Sequence, residues 1–261
     1  MEKNTQTIKA GSANASVWLA GILLLAALGC NTLQRAIQPN NAETYFNNGK
    51  AYADEGDYDR AIAEYTQAIE LEPDYAEAYY ERGNAYNWND DYSRAIADYD
   101  KAIELQPDFA LPYYGRGTVY SIQGDYDRAI ADFDKVTELQ PDFIWSYFDR
   151  GVIYIELEDY ERAIADYDKA IELQPDWAMA YNNRCWSYYQ LGRYEEALPD
   201  CEKSIELDPD DSHTLDSRAF VYKALGRIDD AIKDFERIIE LDQEPDLVAR
   251  AEEQLRELKG K

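Results

Sequence analysis

The stretch YERAIADYDKAIELQPD fills residues 160–176, and near-copies start at Tyr92 and Tyr126, 34 residues apart each time. Extending that interval in both directions reaches Tyr58, Tyr194 and Ile228, so six units fit between Ala42 and Pro245. A fixed period of this length excludes a single central core. Each unit can bury its apolar face only against its neighbours, and the chain grows by stacking. One elongated domain is therefore expected from these 261 residues.

Within a unit the apolar residues run at i, i+4, i+7, pause at an acidic or glycine break, and resume at the same spacing. In the second unit the stripes are Tyr79, Gly83, Tyr86 and then Ala95, Tyr99, Ala102. Two amphipathic helices folded into a hairpin carry this pattern, so the fold class is all-α. Small residues at Gly83 and Ala95 let the helices approach, and the aromatic rings fill the flanks. Asp91 is placed to cap the second helix and Asp108 the next first helix, with Pro107 stopping the chain before it.

These aromatic, Gly, Tyr, Ala, aromatic, Ala and Pro positions resemble the tetratricopeptide (TPR) repeat across residues 42–245. The closing prolines are Pro73, Pro107, Pro141, Pro175 and Pro209; the close-approach glycines are Gly49, Gly83, Gly117 and Gly151, followed by Cys185 and Ala219. The resemblance implies a right-handed solenoid of about six hairpins, at 42–75, 76–109, 110–143, 144–177, 178–211 and 212–245. The sixth is worn, with Leu215 for the first aromatic and Pro245 two residues late, as suits a terminal repeat. Residues 246–261 alternate Leu247, Ala251, Leu255 and Leu258 with charges and read as a capping helix. Pro199 falls inside the second helix of the fifth unit and removes one backbone hydrogen bond near its start.

The N-terminus is a different text. Lys3 and Lys9 precede an uncharged run of 12 residues, Val17–Leu28, too short for an ordinary membrane span of about 20 but suited to a signal-peptide core. The LGC that ends at Cys30 resembles the lipobox of bacterial lipoproteins, with Ala27 and Leu28 in the reverse of the usual order. The resemblance implies that residues 1–29 are a signal peptide, that Cys30 is lipidated, and that residues 30–41 link lipid to repeats. The other reading is a short uncleaved anchor helix. Either way the repeats are expected outside the cytoplasm at a bacterial cell-envelope membrane, periplasmic or on the outer face.

With 53 acidic and 26 basic residues the formal charge is −27, which excludes electrostatic capture of nucleic acid or of anionic lipid surfaces. His213 is the single histidine, and no nucleophile motif, phosphate-cradling glycine loop or metal-ligand spacing accompanies it. The run DPDDSH lacks the order of a calcium loop and reads as an inter-repeat turn. No catalytic residue, cofactor or metal is expected.

What remains is binding. The TPR resemblance implies that the first helix of each hairpin lines a concave groove. The groove positions are then Phe46 in the first unit, Tyr80 and Asn84 in the second and Tyr114 in the third, with Trp145 and Phe148 in the fourth. Asn182, Trp186 and Tyr189 follow in the fifth, while Leu111, Val152 and Met179 share the stripe. Exposed aromatic rings flanked by polar groups mark a protein-contact surface; packing along the groove wall is the competing use of each ring. The family's clamp for a terminal carboxylate is not carried over, since its lysine position holds Phe46, Tyr80, Tyr114 and Phe148. The expectation is a non-catalytic scaffold or adaptor that binds a protein or peptide, the alternative a permanent structural or assembly subunit of an envelope complex.

Two further constellations follow from the register. Cys185 and Cys201 take the close-approach position of one helix and the central aromatic position of its hairpin partner, so that either a disulfide or a buried thiol pair is expected. Arg82, Arg116, Arg150, Arg184 and Arg218 recur at one position, with Asn48 in the first unit. Eighteen residues before each lies an acid of the preceding hairpin: Glu64, Asp98, Asp132, Asp166 and Asp200. A ladder of inter-repeat ion pairs is expected, each arginine also stacking on tyrosines three before and four after it.

Overall fold

The computed structural model describes residues 41–241 and 243–260; the expected signal peptide, Cys30 and the linker as far as residue 40 lie outside them. Among the described residues there are thirteen α-helices and no strands. The first helices of the hairpins are α1 (Ala42–Asp54), α3 (Ala76–Trp88), α5 (Ala110–Ile122), α7 (Ile144–Glu156), α9 (Ala178–Gln190) and α11 (Ser212–Ala224). Their partners are α2 (Tyr58–Leu71), α4 (Tyr92–Leu105), α6 (Tyr126–Leu139), α8 (Tyr160–Leu173), α10 (Tyr194–Leu207) and α12 (Ile228–Leu241), and α13 (Pro245–Lys259) closes the stack. Consecutive helices pack in order, so the protein is a solenoid of six helical hairpins and a cap.

Each hairpin turns through a residue with a left-handed backbone, for example Gly124 at φ 75° and Asp90 at φ 57°. The next residue caps the second helix: Asp57, Asp91, Asp125 and Asp159 each accept a hydrogen bond from the backbone N–H three residues on. The first helices start differently. The N-cap of α5 is Phe109, with no side-chain bond, so Asp108 does not cap it. That site goes to an aromatic residue because the ring is needed in the groove wall described below. Pro199 leaves α10 unbroken from Tyr194 to Leu207.

Within a hairpin the helices meet at glycine and ring. A Cβ placed on Gly83 would lie 2.8 Å from the Tyr99 ring and one on Gly117 2.9 Å from Phe133, so any larger residue would push the helices apart. Ala95, Ala129 and Ala163 are fully buried beneath these rings.

The arginine ladder exists, but its rungs join other partners than the eighteen-residue pairing expects. Each arginine grips, through Nε and Nη2, an aspartate sixteen residues later on the second helix of its own hairpin. The pairs are Arg82–Asp98, Arg116–Asp132, Arg150–Asp166, Arg184–Asp200 and Arg218–Asp234, at 2.6–2.9 Å. Glu64, expected to pair with Arg82, instead accepts from Asn48 at 3.0 Å. The link to the preceding hairpin is made by Nη1 to a residue sixteen earlier. That residue is Thr66 for Arg82, Asp100 for Arg116, Asp134 for Arg150 and Asp168 for Arg184. Two residues along a helix rotate a side chain by about 200°. The acid eighteen back therefore faces its own arginine, and the residue two later faces the next hairpin. The hydrogen bonds of Asp132 and Asp100 hold the Arg116 guanidinium above its already high ordinary value. The two-sided tyrosine stacking is present at Arg82, 5.5 Å and 5.9 Å from the ring centres of Tyr79 and Tyr86, and at Arg116, whereas Arg150 and Arg184 meet the tyrosine three before and Arg218 the one four after; Arg94 covers Tyr86 at 4.3 Å.

Candidate polypeptide-binding groove

The wall of the concave face is built by three rings per repeat. Phe46, Tyr80, Tyr114 and Phe148 each wedge between the second-helix ring of their own hairpin and the aromatic residue that opens the next. Phe148, for instance, meets Tyr167 at 5.7 Å and stacks on Trp177 at 4.4 Å. Tyr80 does the same with Tyr99 and Phe109, and Tyr114 with Phe133 and Phe143. These expected groove rings are therefore half-buried, and much of their surface is spent on the wall.

The groove floor beside them changes along the solenoid. In the first two repeats it is polar, with Glu43, Lys50 and Asn84. In the fourth and fifth repeats it turns apolar: Trp145 is 47% exposed, Met179 52% and Val152 37%. Trp145 leans edge-on against Trp177 at 4.9 Å, while Trp186 stacks on Tyr189 at 5.2 Å and Tyr189 reaches Tyr194 and Phe220. Under this patch sits Asp149, which the sequence analysis did not single out. The Tyr114 hydroxyl donates to its Oδ2 at 2.6 Å, and burial pushes the carboxyl above its ordinary value while that hydrogen bond pulls it back.

At the fifth repeat the wall itself changes. The wedge position passes to Asn182 and then to Asp216, and the aromatic that opens the next hairpin becomes Asp211, which caps α11. The ring of the second helix becomes Cys201, joined in a disulfide to Cys185 across 5.5 Å between Cα atoms. A covalent link thus stands where glycine meets a ring in the earlier hairpins. Hydroxyls also enter the interior, where Ser187, Ser204 and Thr214 are fully buried and Ser204 bonds the Ala178 carbonyl and Thr214. Asp216 is buried and accepts from Arg250 of α13 at 2.7 Å. His213 is exposed and meets Glu244 at 3.0 Å, and Asp210 pairs with Arg237. The run DPDDSH is accordingly the turn into α11. The groove residues expected from the sequence run through the wedge position only as far as Asn182 in the fifth repeat, so Asp216 in the sixth and its partner Arg250 in α13 are not among them.

The tetratricopeptide repeat family matches residues 76–109, 110–143, 144–176, 178–211 and 213–245, and a TPR repeat match covers residues 49–87. The chain is a tetratricopeptide repeat protein. No curated protein sequence matches it. Among solved structures, this TPR protein is similar to YrrB, described as a TPR protein with an unusual peptide-binding site. The identity is 25% and the TM-score 0.64, with 72% of this chain and 97% of YrrB covered. It also resembles MamA (24% identity, TM-score 0.59, 65% and 92% covered) and PilF of Pseudomonas aeruginosa (15%, 0.69, 84% and 96%), likenesses that show the fold alone.

Proposed function

We propose that this TPR protein is a non-catalytic adaptor that holds a polypeptide segment in its concave groove, with the contact centred on repeats four and five. The observation that carries the reading is the exposed apolar strip of Trp145, Val152 and Met179 beside Trp186, set in a chain of formal charge −27. Such a strip favours a segment with apolar anchors and basic flanks. The likeness to YrrB, a TPR protein with a peptide-binding site, supports the same use of the fold.

The lipobox-like LGC supports attachment through a lipid on Cys30 and residence in a bacterial cell envelope. Fatty-acid labelling that disappears in Cys30→Ser agrees with this, and an intact N-terminus on the mature protein refutes it. The groove reading is tested by the double variant Trp145→Ala/Trp186→Ala. It is expected to stay folded and to lose polypeptide binding, because apolar anchors of this kind cost more than about 2 kcal/mol when truncated. Unchanged binding by a folded double variant refutes it.

A further inference from the structure

Three buried side-chain polar atoms among the described residues have no hydrogen-bond partner: the Tyr65 hydroxyl, Asn182 Oδ1 and Asp216 Oδ1. The last two line one cleft of about 210 Å³ where α9, α11 and α13 meet, which also takes in Asn183, Trp186, Ser217, Arg250 and His213, the last exposed and facing Glu244. Orphaned acceptors at one place are a demand for a donor, since a buried acceptor without one is disfavoured by about 1–3 kcal/mol. The two here are a carboxylate oxygen, on a side chain 7% exposed, and an amide oxygen.

The charge of the donor follows from Asp216. In the ladder, aspartates in the same kind of interior are gripped through both oxygens by one guanidinium. At Asp216 only Oδ2 is used, by one nitrogen of Arg250, whose side chain is 49% exposed and comes from the last helix. Arg250 marks the site as one that accepts a cation, and it leaves half of the carboxylate unused. Trp186 stands in the lining, and the face of an indole attracts ammonium and guanidinium groups. The cleft adjoins the apolar strip, so a chain lying on Trp145 and Met179 passes its mouth.

We propose that this cleft is the subsite for a basic side chain, lysine or arginine, of the polypeptide held in the groove. The N–H donors of that side chain meet Asp216 Oδ1 and Asn182 Oδ1 as the half-exposed Arg250 swings toward solvent. The inference rests on the groove reading above, and adds to it a chemical identity for one partner residue and its place.

The test uses an array of synthetic peptides of Leu, Ile, Ala and Ser in which one central position is Arg, Lys, citrulline, norleucine or Glu, probed with the full chain. The arginine and lysine peptides should bind at least about tenfold more tightly than the citrulline and norleucine ones, as a charge-assisted contact requires. Asp216→Asn and Asn182→Leu should erase that preference, so that within each variant the arginine and lysine peptides bind no more tightly than the norleucine one. Arg250→Ala should strengthen the basic peptides, because it removes the internal competitor; a purely structural Asp216–Arg250 pair would give no such gain. Binding without a preference for a basic residue, or a preference that survives both Asp216→Asn and Asn182→Leu, overturns the subsite and leaves the groove. Failure of every peptide to bind overturns both.

Discussion

Repeats two to four and repeats five to six have one backbone plan and two different interiors. In the first group each hairpin is closed by a glycine under a ring and each groove wall by three rings, with an aspartate capping every second helix. In the second the ring contact becomes Cys185–Cys201, the wedge becomes Asn182 and Asp216, and buried serines replace alanine and valine. The cap pair is also inverted: Arg193 stands where Asp159 stood and bonds Glu196 three residues later. It still covers its tyrosine, Tyr188, at 4.6 Å. The regular half therefore shows what the stack needs, and the departures show where the chain has been altered without loss of the stack. Among the described residues, a cleft with unsatisfied acceptors arises only where the three-ring wall is given up.

Both halves share the arginine rung, so breaking it should have the largest effect. Arg150→Ala leaves Asp166 buried without its partner and is expected to destabilise the protein by about 3–5 kcal/mol in urea denaturation. A double-mutant cycle should give strong coupling of Arg150 to Asp166 and little to Asp132, which faces Arg116.

The disulfide separates the halves. Reducing it, or the pair Cys185→Ala/Cys201→Ala, should cost about 2–4 kcal/mol. Hydrogen exchange should rise first in α9 and α10 and later in α3 to α6. Uniform exchange across the stack would mean that the fifth repeat does not depend on its covalent link.

A smaller contrast lies among the ring positions. The Tyr99 hydroxyl donates to Asn84 at 2.8 Å, whereas the Tyr65 hydroxyl is buried without a partner. Tyr99→Phe should therefore cost about 1 kcal/mol, and Tyr65→Phe should be neutral or stabilising, because it removes a polar group that burial penalises.

The smallest effect is in the pH profile. Hydrogen bonds from the Arg128 side chain and backbone hold Asp125 below its ordinary 3.8, so its contribution is complete above that pH and is lost as pH falls through the lowered value. Burial holds Asp216 above 3.8, against the pull of Arg250, so its ionisation weakens the fold as pH rises through the raised value. The melting deficit of Asp125→Asn should accordingly shrink on acidification, and that of Asp216→Asn should grow.

The sequence carried the fold almost entirely, because a period of 34 with glycine, ring and proline at fixed places leaves one stacking scheme. Trp145, Trp186 and the facing cysteines were legible for the same reason, since register alone places them. The partners of the arginines were not. An acid two residues off the contacting one lies on the opposite side of its helix, and a spacing of 18 looked as regular as the true 16. Asp149, Asp216 and Arg250 were hidden for another reason. A charged residue that does not recur at the same place in every repeat gives no periodic signal, and only the packed neighbours reveal which of these groups are buried or paired.

The central claim is that the altered half of the solenoid carries the binding. It is tested most directly by the affinity of one peptide, carrying apolar anchors and a central arginine, for the full chain and two double variants. Trp145→Ala/Trp186→Ala should weaken binding by at least about thirtyfold, the equivalent of 2 kcal/mol, while Glu43→Ala/Lys50→Ala in the first repeat should leave it unchanged. Equal losses in both variants, or a loss confined to the first repeat, would contradict the account.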